Sequence, residues 1–212
     1  MTLRKQRPSW LRLSMLFLMT ETKKRTVVFG GSFDPIHIGH LALAGAVCEH
    51  GLADEVWFMV SPQNPHKQGC DLTDEGLRLQ MVQLAVKGNP AFKACDFEFT
   101  LPRPSYTVHT LAALEQAYPD RDFVLLIGAD NWEKFDRWYK GDEILSRYGI
   151  IVYPRGDEEM PQLPANVVWL PARLYDVSST MVREAVASGC GISDLVTPGV
   201  ERFIIENELY KR

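Results

Sequence analysis

"VVFGGSFDPIHIGH", residues 27–40, runs three apolar residues into two glycines and then places two histidines one helical turn apart. The β-branched run predicts a buried strand, and Gly30-Gly31 mark its end. Glycines without side chains let a ligand approach the main chain, and the helix start beyond offers unpaired N–H groups to phosphate. The helix is predicted from about Ile38 to His50, with Gly51 just past its C-terminus. His37 and His40, at i and i+3, share one face of that helix start. Two imidazoles there can ligate a metal, move protons, or donate hydrogen bonds to phosphates. Metal is the weakest of the three, because no third His or Cys stands nearby in sequence. A pair that only caps or packs the helix is the bland alternative; a strand before and a helix after favour the ligand-binding one. Neither G-x-G-x-x-G nor G-x-x-x-x-G-K-[ST] is present, which argues against a dinucleotide dehydrogenase and a P-loop enzyme.

Outward from this stretch, strands and helices alternate. "EVWFMV" (55–60), "FKACDFEF" (92–99), "DFVLLIG" (122–128), "IIVYPR" (150–155) and "NVVWLPA" (166–172) carry strands. Between them, 74–88 is amphipathic, and "SYTVHTLAALEQAYP" (105–119) reads as a helix with Ser105 as N-cap. Residues 130–149 hold one or two short helices. "SSTMVREAVASG" (178–189) is a helix opened by hydroxyls, and "TPGVERFIIENELY" (197–210) is a terminal one with Pro198 in its first turn. "SPQNPHKQGCDLT" (61–73) is a loop by its prolines and glycine. This pattern predicts an α/β fold: a doubly wound, Rossmann-like, mostly parallel sheet with helices on both faces, in a single domain over 25–212.

The chain of 212 residues suits one sizeable domain. Its net charge of −4 gives no global case for nucleic acid or an anionic membrane, so any anion site must be a local basic cluster. Cys48, Cys70, Cys95 and Cys190 lack zinc or redox spacing and read as reduced thiols of a cytoplasmic protein. The apolar run "LSMLFLM" (13–19) is far short of the ~20 residues a membrane span needs. No small-residue cleavage site follows it. Residues 1–24 are expected to be an extension outside the fold, with Met19 a natural start and 1–18 upstream of it.

Two more stretches carry polar groups at predicted strand ends and helix starts. In "GADNWEKFDRW" (128–138), Asp130 can accept hydrogen bonds from a ribose or help hold a cation. Trp132 and Trp138 can stack on an aromatic ring or belong to the core. In "VSSTMVR" (177–183), Ser178, Ser179, Thr180 and Arg183 can clamp a triphosphate at a helix N-terminus. An ordinary cap beside a surface Arg would look the same. His109, in "RPSYTVHT" (103–110), reads as packed or exposed rather than functional.

The string "GGSFDPIHIGH" resembles the signature of the nucleotidyltransferase superfamily, with its glycine turn and H-x-G-H helix start. With "GAD", "DRW", "PSYT" and "SST..R", the chain resembles the bacterial nicotinate-mononucleotide adenylyltransferases over roughly 26–210. The resemblance implies transfer of AMP from ATP to nicotinate mononucleotide, with Mg²⁺ accompanying ATP and pyrophosphate released. It implies ATP contacts from Gly30, Gly31, Ser32, Phe33, His37, His40, Gly128, Asp130, Arg155, Ser179, Thr180 and Arg183. His37, His40 and Arg183 are the expected catalytic groups, and acceptor contacts fall to Lys67, Tyr106, Thr107 and Trp138. Ser32 stands where the family often has Thr; both supply a hydroxyl. No dedicated protein metal site is expected, and no nucleic-acid or membrane partner; a homo-oligomer is compatible with the sequence. His40 is expected to act best when protonated, as charge develops toward the leaving group. Phosphopantetheine adenylyltransferase shares the first motif, but "DRWY" and "SSTMVR" argue against it. A preference for nicotinamide mononucleotide stays open. A nucleotide-sensing module is the non-enzymatic alternative, and retention of both histidines weighs against it.

Overall fold

The computed structural model describes residues 23–62, 72–154, 162–170 and 176–211. Six parallel strands form one sheet: β1 (Lys24–Gly31), β2 (Glu55–Val60), β3 (Phe92–Cys95), β4 (Arg121–Gly128), β5 (Gly149–Tyr153) and β6 (Val167–Trp169). Their order is β3-β2-β1-β4-β5-β6, so the chain reverses direction across the sheet between β1 and β4. Among the described residues, seven α-helices connect and flank them: α1 (Ile38–Glu49), α2 (Glu75–Val86), α3 (Thr107–Ala117), α4 (Ala129–Trp132), α5 (Gly141–Arg147), α6 (Ser179–Ala187) and α7 (Pro198–Glu206).

The period-2 geometry of strands divides the core in two. Val27 and Phe29 of β1, Val56, Phe58 and Val60 of β2, and Val124 and Leu126 of β4 face α1, α2, α6 and α7. Val28, Trp57, Met59, Phe123, Leu125 and Ile127 face the other side, against α3 and α5. Central strands apolar on both faces are what a parallel sheet covered twice requires. The doubly wound expectation therefore holds.

β1 begins at Lys24, whose main-chain N–H donates to Asp120 O at 3.1 Å and whose ammonium reaches Glu55 at 2.6 Å; residues 1–22 lie outside the described residues. Two local expectations need correction. The predicted strand over 92–99 stops at Cys95, and Phe97–Thr100 form a 3₁₀ turn. Ser105 is not the cap of α3: Tyr106 occupies that position with no side-chain cap bond, and the Ser105 hydroxyl lies 3.4 Å from Glu98 Oε2. A buried carboxylate in reach competes successfully with the helix end for that hydroxyl.

Candidate functional site

In open α/β sheets ligands bind beyond the carboxyl ends of the strands where strand order reverses. β1 meets that edge with an exposed Gly30, and an added Cβ there would meet nothing within 4 Å. β4 meets it with the buried Gly128, followed by a half-exposed Asp130 in α4. Phe33 then turns the chain back with φ of 47°, and its ring lies under Gly31, where a Cβ would sit 3.0 Å from it. The left-handed conformation is unfavourable for a bulky residue and persists because the surroundings over-determine it. Phe33 is only 3% exposed, packed edge-on against Phe29 and Phe58. Its ring supports the turn from beneath Gly31.

On that support sit the histidines. His40 packs against the Phe33 ring with centroids 5.0 Å apart, and His37 stacks on His40 at 3.6 Å. The His37 main-chain N–H donates to His40 Nδ1 at 3.2 Å. This bond fixes the orientation of the His40 ring. Gly39 is required between them. A Cβ there would come within 2.9 Å of Val177 and 3.1 Å of the His37 ring.

α6 brings the second predicted motif to the same loop. Ser178 caps the helix, accepting from the Met181 N–H at 3.2 Å. Ser179 Oγ donates to Pro35 O at 2.8 Å, and Arg183 Nη1 donates to Asp34 O at 2.7 Å. The other Arg183 nitrogen, Nη2, lies 3.2 Å from the exposed Thr180 hydroxyl. Residues 144 to 149 positions apart in sequence thus form one basic, hydroxyl-rich edge beside Gly30 and the imidazoles. Ser32 lies half-exposed between them.

The predicted acceptor residues lie together in part. Thr107 opens α3, and exposed Tyr106 contacts Tyr139 at 4.7 Å between ring centroids. Tyr139 follows Trp138, which is half-buried against Phe135 at 5.3 Å; Trp132 stacks on the same ring at 5.2 Å. Trp132 is therefore a packing residue, while Trp138 borders the Tyr106–Tyr139 pair. A cleft of about 380 Å³ lies alongside, lined by Leu101, Pro104, Tyr106 and His109 among others. His109 joins the aromatic group, 5.6 Å from Tyr139. Lys67 and Arg155 lie outside the described residues.

Three residues escaped the sequence reading. Arg78, on the apolar face of α2 beside Met81 and Val82, is 1% exposed. It donates to Thr73 O (2.8 Å), Ser32 O (2.6 Å), Ser61 O (2.9 Å) and Pro62 O (3.1 Å), tying together the ends of β1 and β2. A cation on the buried face of an amphipathic helix was the signal available. Glu98 is the second: Thr110 Oγ1 donates to it at 2.9 Å, and burial pushes its carboxyl above the usual range despite bonds from Thr110, Ser61 and Ser105. It anchors the turn that presents Tyr106. Tyr139, next to Trp138, is the third. Among the described residues no group of three or more His, Cys, Asp or Glu side chains is placed to hold a metal ion. Nor is any helix there long and apolar enough to cross a membrane.

This geometry has relatives. The cytidylyltransferase-like family model matches residues 28–185. A Bacteroides fragilis protein named "Probable nicotinate-nucleotide adenylyltransferase" is 52% identical over 186 residues, covering 87% of this chain and 92% of that one. Its namesake from Bacteroides thetaiotaomicron is 47% identical, covering 89% and 95%. Among solved structures, Plasmodium falciparum nicotinic acid mononucleotide adenylyltransferase complexed with NaAD superposes with a TM-score of 0.71 at 19% identity, covering 88% of this chain and 97% of that one. The latter likeness speaks for the fold; the matches in sequence place this chain in the cytidylyltransferase-like family, among the nicotinate-nucleotide adenylyltransferases.

Proposed function

We propose that this site transfers the adenylyl group of ATP to nicotinate mononucleotide, releasing pyrophosphate and forming nicotinate adenine dinucleotide. The observation that carries the reading is the convergence, at the strand-order reversal, of stacked His37 and His40, the open Gly30 edge and the Ser179–Arg183 helix start. An acceptor 5′-phosphate oxygen attacks the α-phosphorus, a new P–O bond forms, and the bond to pyrophosphate breaks with its electron pair leaving on the bridging oxygen. Such transfers need in-line positioning and dispersal of charge more than covalent help, so no protein nucleophile is assigned. His40 Nε2–H donates to the phosphates while its Nδ1 holds the ring in register with the His37 N–H. Arg183, already braced by Asp34 O, brings a fixed positive charge to the same edge. Mg²⁺ would accompany ATP as part of the co-substrate and supply positive charge to the phosphates. Thr107, Trp138 and the Tyr106–Tyr139 pair border the acceptor side, where an aromatic ring can stack.

The test is pyrophosphate release from ATP and Mg²⁺ with three acceptors compared: nicotinate mononucleotide, nicotinamide mononucleotide and phosphopantetheine. The expected result is a kcat/KM for the nicotinate form at least about tenfold above either competitor, the discrimination that a well-placed polar contact achieves. Release only with phosphopantetheine would overturn the acceptor, and release with none would overturn the reaction.

A further inference from the structure

The loop bearing the histidines is held from the far end of the chain. α6 contributes the Ser179 and Arg183 bonds described above, and the Ile38 N–H donates to Leu195 O at 3.0 Å. A fourth bond comes from a residue outside that machinery: Tyr210 OH donates to Asp34 Oδ1 at 2.6 Å. Asp34 is 4% exposed, and its other oxygen accepts from the Thr73 N–H at 3.3 Å. A hydroxyl-to-carboxylate bond withdrawn from water is among the stronger protein hydrogen bonds. The Tyr210 hydroxyl stays a donor, because burial and the Asp34 charge raise its pKa far above the ordinary tyrosine value.

The backbone is shaped to deliver this group. Beyond α7 the chain passes through the left-handed region at Glu208 (φ 53°) and again at Tyr210 (φ 61°). Neither is glycine, and side-chain-bearing residues adopt that conformation when surrounding contacts over-determine it. The Tyr210 ring packs against the core cluster that β1, α1 and α2 share, so the hydroxyl arrives at Asp34 on a fixed support.

We propose that the Tyr210–Asp34 hydrogen bond is a latch that fixes residues 31–40, and that Tyr210 is a positioning residue for the nucleotide half of the site. The latch rests on the reading that this loop receives ATP. It predicts an asymmetric effect, since Asp34 lies between Ser32 and His37 while the acceptor side is built on α3 and residues 138–139.

Tyr210→Phe keeps the packed ring and removes one hydroxyl. Hydrogen exchange of amides 31–40 is expected to accelerate about tenfold, as loss of one strong hydrogen bond to a local opening unit implies, with the strands unchanged. In steady-state kinetics the KM for ATP should rise roughly five- to tenfold while the KM for nicotinate mononucleotide stays within about twofold. In an Asp34→Ala background the same substitution should add less than about twofold, since the two act as one unit. Unchanged exchange in 31–40 overturns the latch. So does acceleration spread evenly over the protein, or equal rises in both KM values, each of which marks a merely structural role. Local acceleration in a protein whose wild type releases no pyrophosphate would uphold the latch and sink the proposed reaction instead.

Discussion

The two ends of the sheet both contain buried charge and handle it in opposite ways. At the amino end, Glu55 opens β2 and takes Lys24 on one oxygen and Arg121, Thr26 and Trp57 on the other. Burial alone would raise its carboxyl, but hydrogen bonds from Lys24 and Thr26 and the charges of Arg121 and Lys24 hold it below the usual carboxylate range. Lys93 and Arg121 also lie over Trp57, at 3.9 and 5.0 Å from the ring centroid. There, opposite charges satisfy one another. At the carboxyl end, Arg78 is buried against four main-chain carbonyls, and Arg183 is braced by a fifth. Carbonyls satisfy the donors of a guanidinium without themselves cancelling its charge, and the carboxylates that act on Arg78, those of Asp34, Glu75 and Asp74, make no hydrogen bond to it among the contacts above. The first arrangement stabilises the fold, and the second keeps positive potential available for an anion.

Three substitutions would sharpen or break this contrast. The largest effect is expected at His40→Ala, which removes a donor aimed at developing charge. A fall in kcat of about 10²–10³-fold is expected, with stability changed by less than about 1 kcal/mol. Near-normal turnover in that variant would end the assignment. Arg78→Met comes next. It strands carbonyls at the ends of β1 and β2, so chemical denaturation should show a loss on the order of 3 kcal/mol, and activity per folded molecule should fall about tenfold. Full activity in the folded fraction would reduce Arg78 to a core staple.

Glu55→Gln is the smallest. A loss of roughly 1–2 kcal/mol is expected at neutral pH with KM for ATP unmoved, the cations here being partly exposed. Because the folded carboxyl titrates below its unfolded value, its contribution is complete above the ordinary carboxylate range and is lost as pH falls through the lowered value. The gap between wild type and variant in urea midpoint should therefore close in acid. A gap independent of pH would mean that packing, not charge, sets the amino end.

Reading the sequence alone located the main candidate segments because their signals are local. The apolar runs in "TVVFG", "EVWFMV" and "DFVLLIG" located three buried strands, and "GGSFDPIHIGH" placed glycines and imidazoles at a strand end. The same reasoning overran at Asp96, where apolar Phe97 and Phe99 mimic a strand but form a 3₁₀ turn. Nor does anything local reveal that the Phe33 ring folds beneath Gly31.

The sequence by itself determined the strand–helix alternation, the position of the glycine–histidine turn and the family resemblance, all of which depend on neighbours a few residues apart. Only the tertiary structure decided what braces that turn. The Arg78–Ser32 and Tyr210–Asp34 bonds join residues 46 and 176 positions apart. The orientation of the His40 ring likewise depends on how the loop presents the His37 N–H. Hydrogen-bond partners at such separations are chosen by the packing of the whole sheet, and no short-range period in a sequence encodes them.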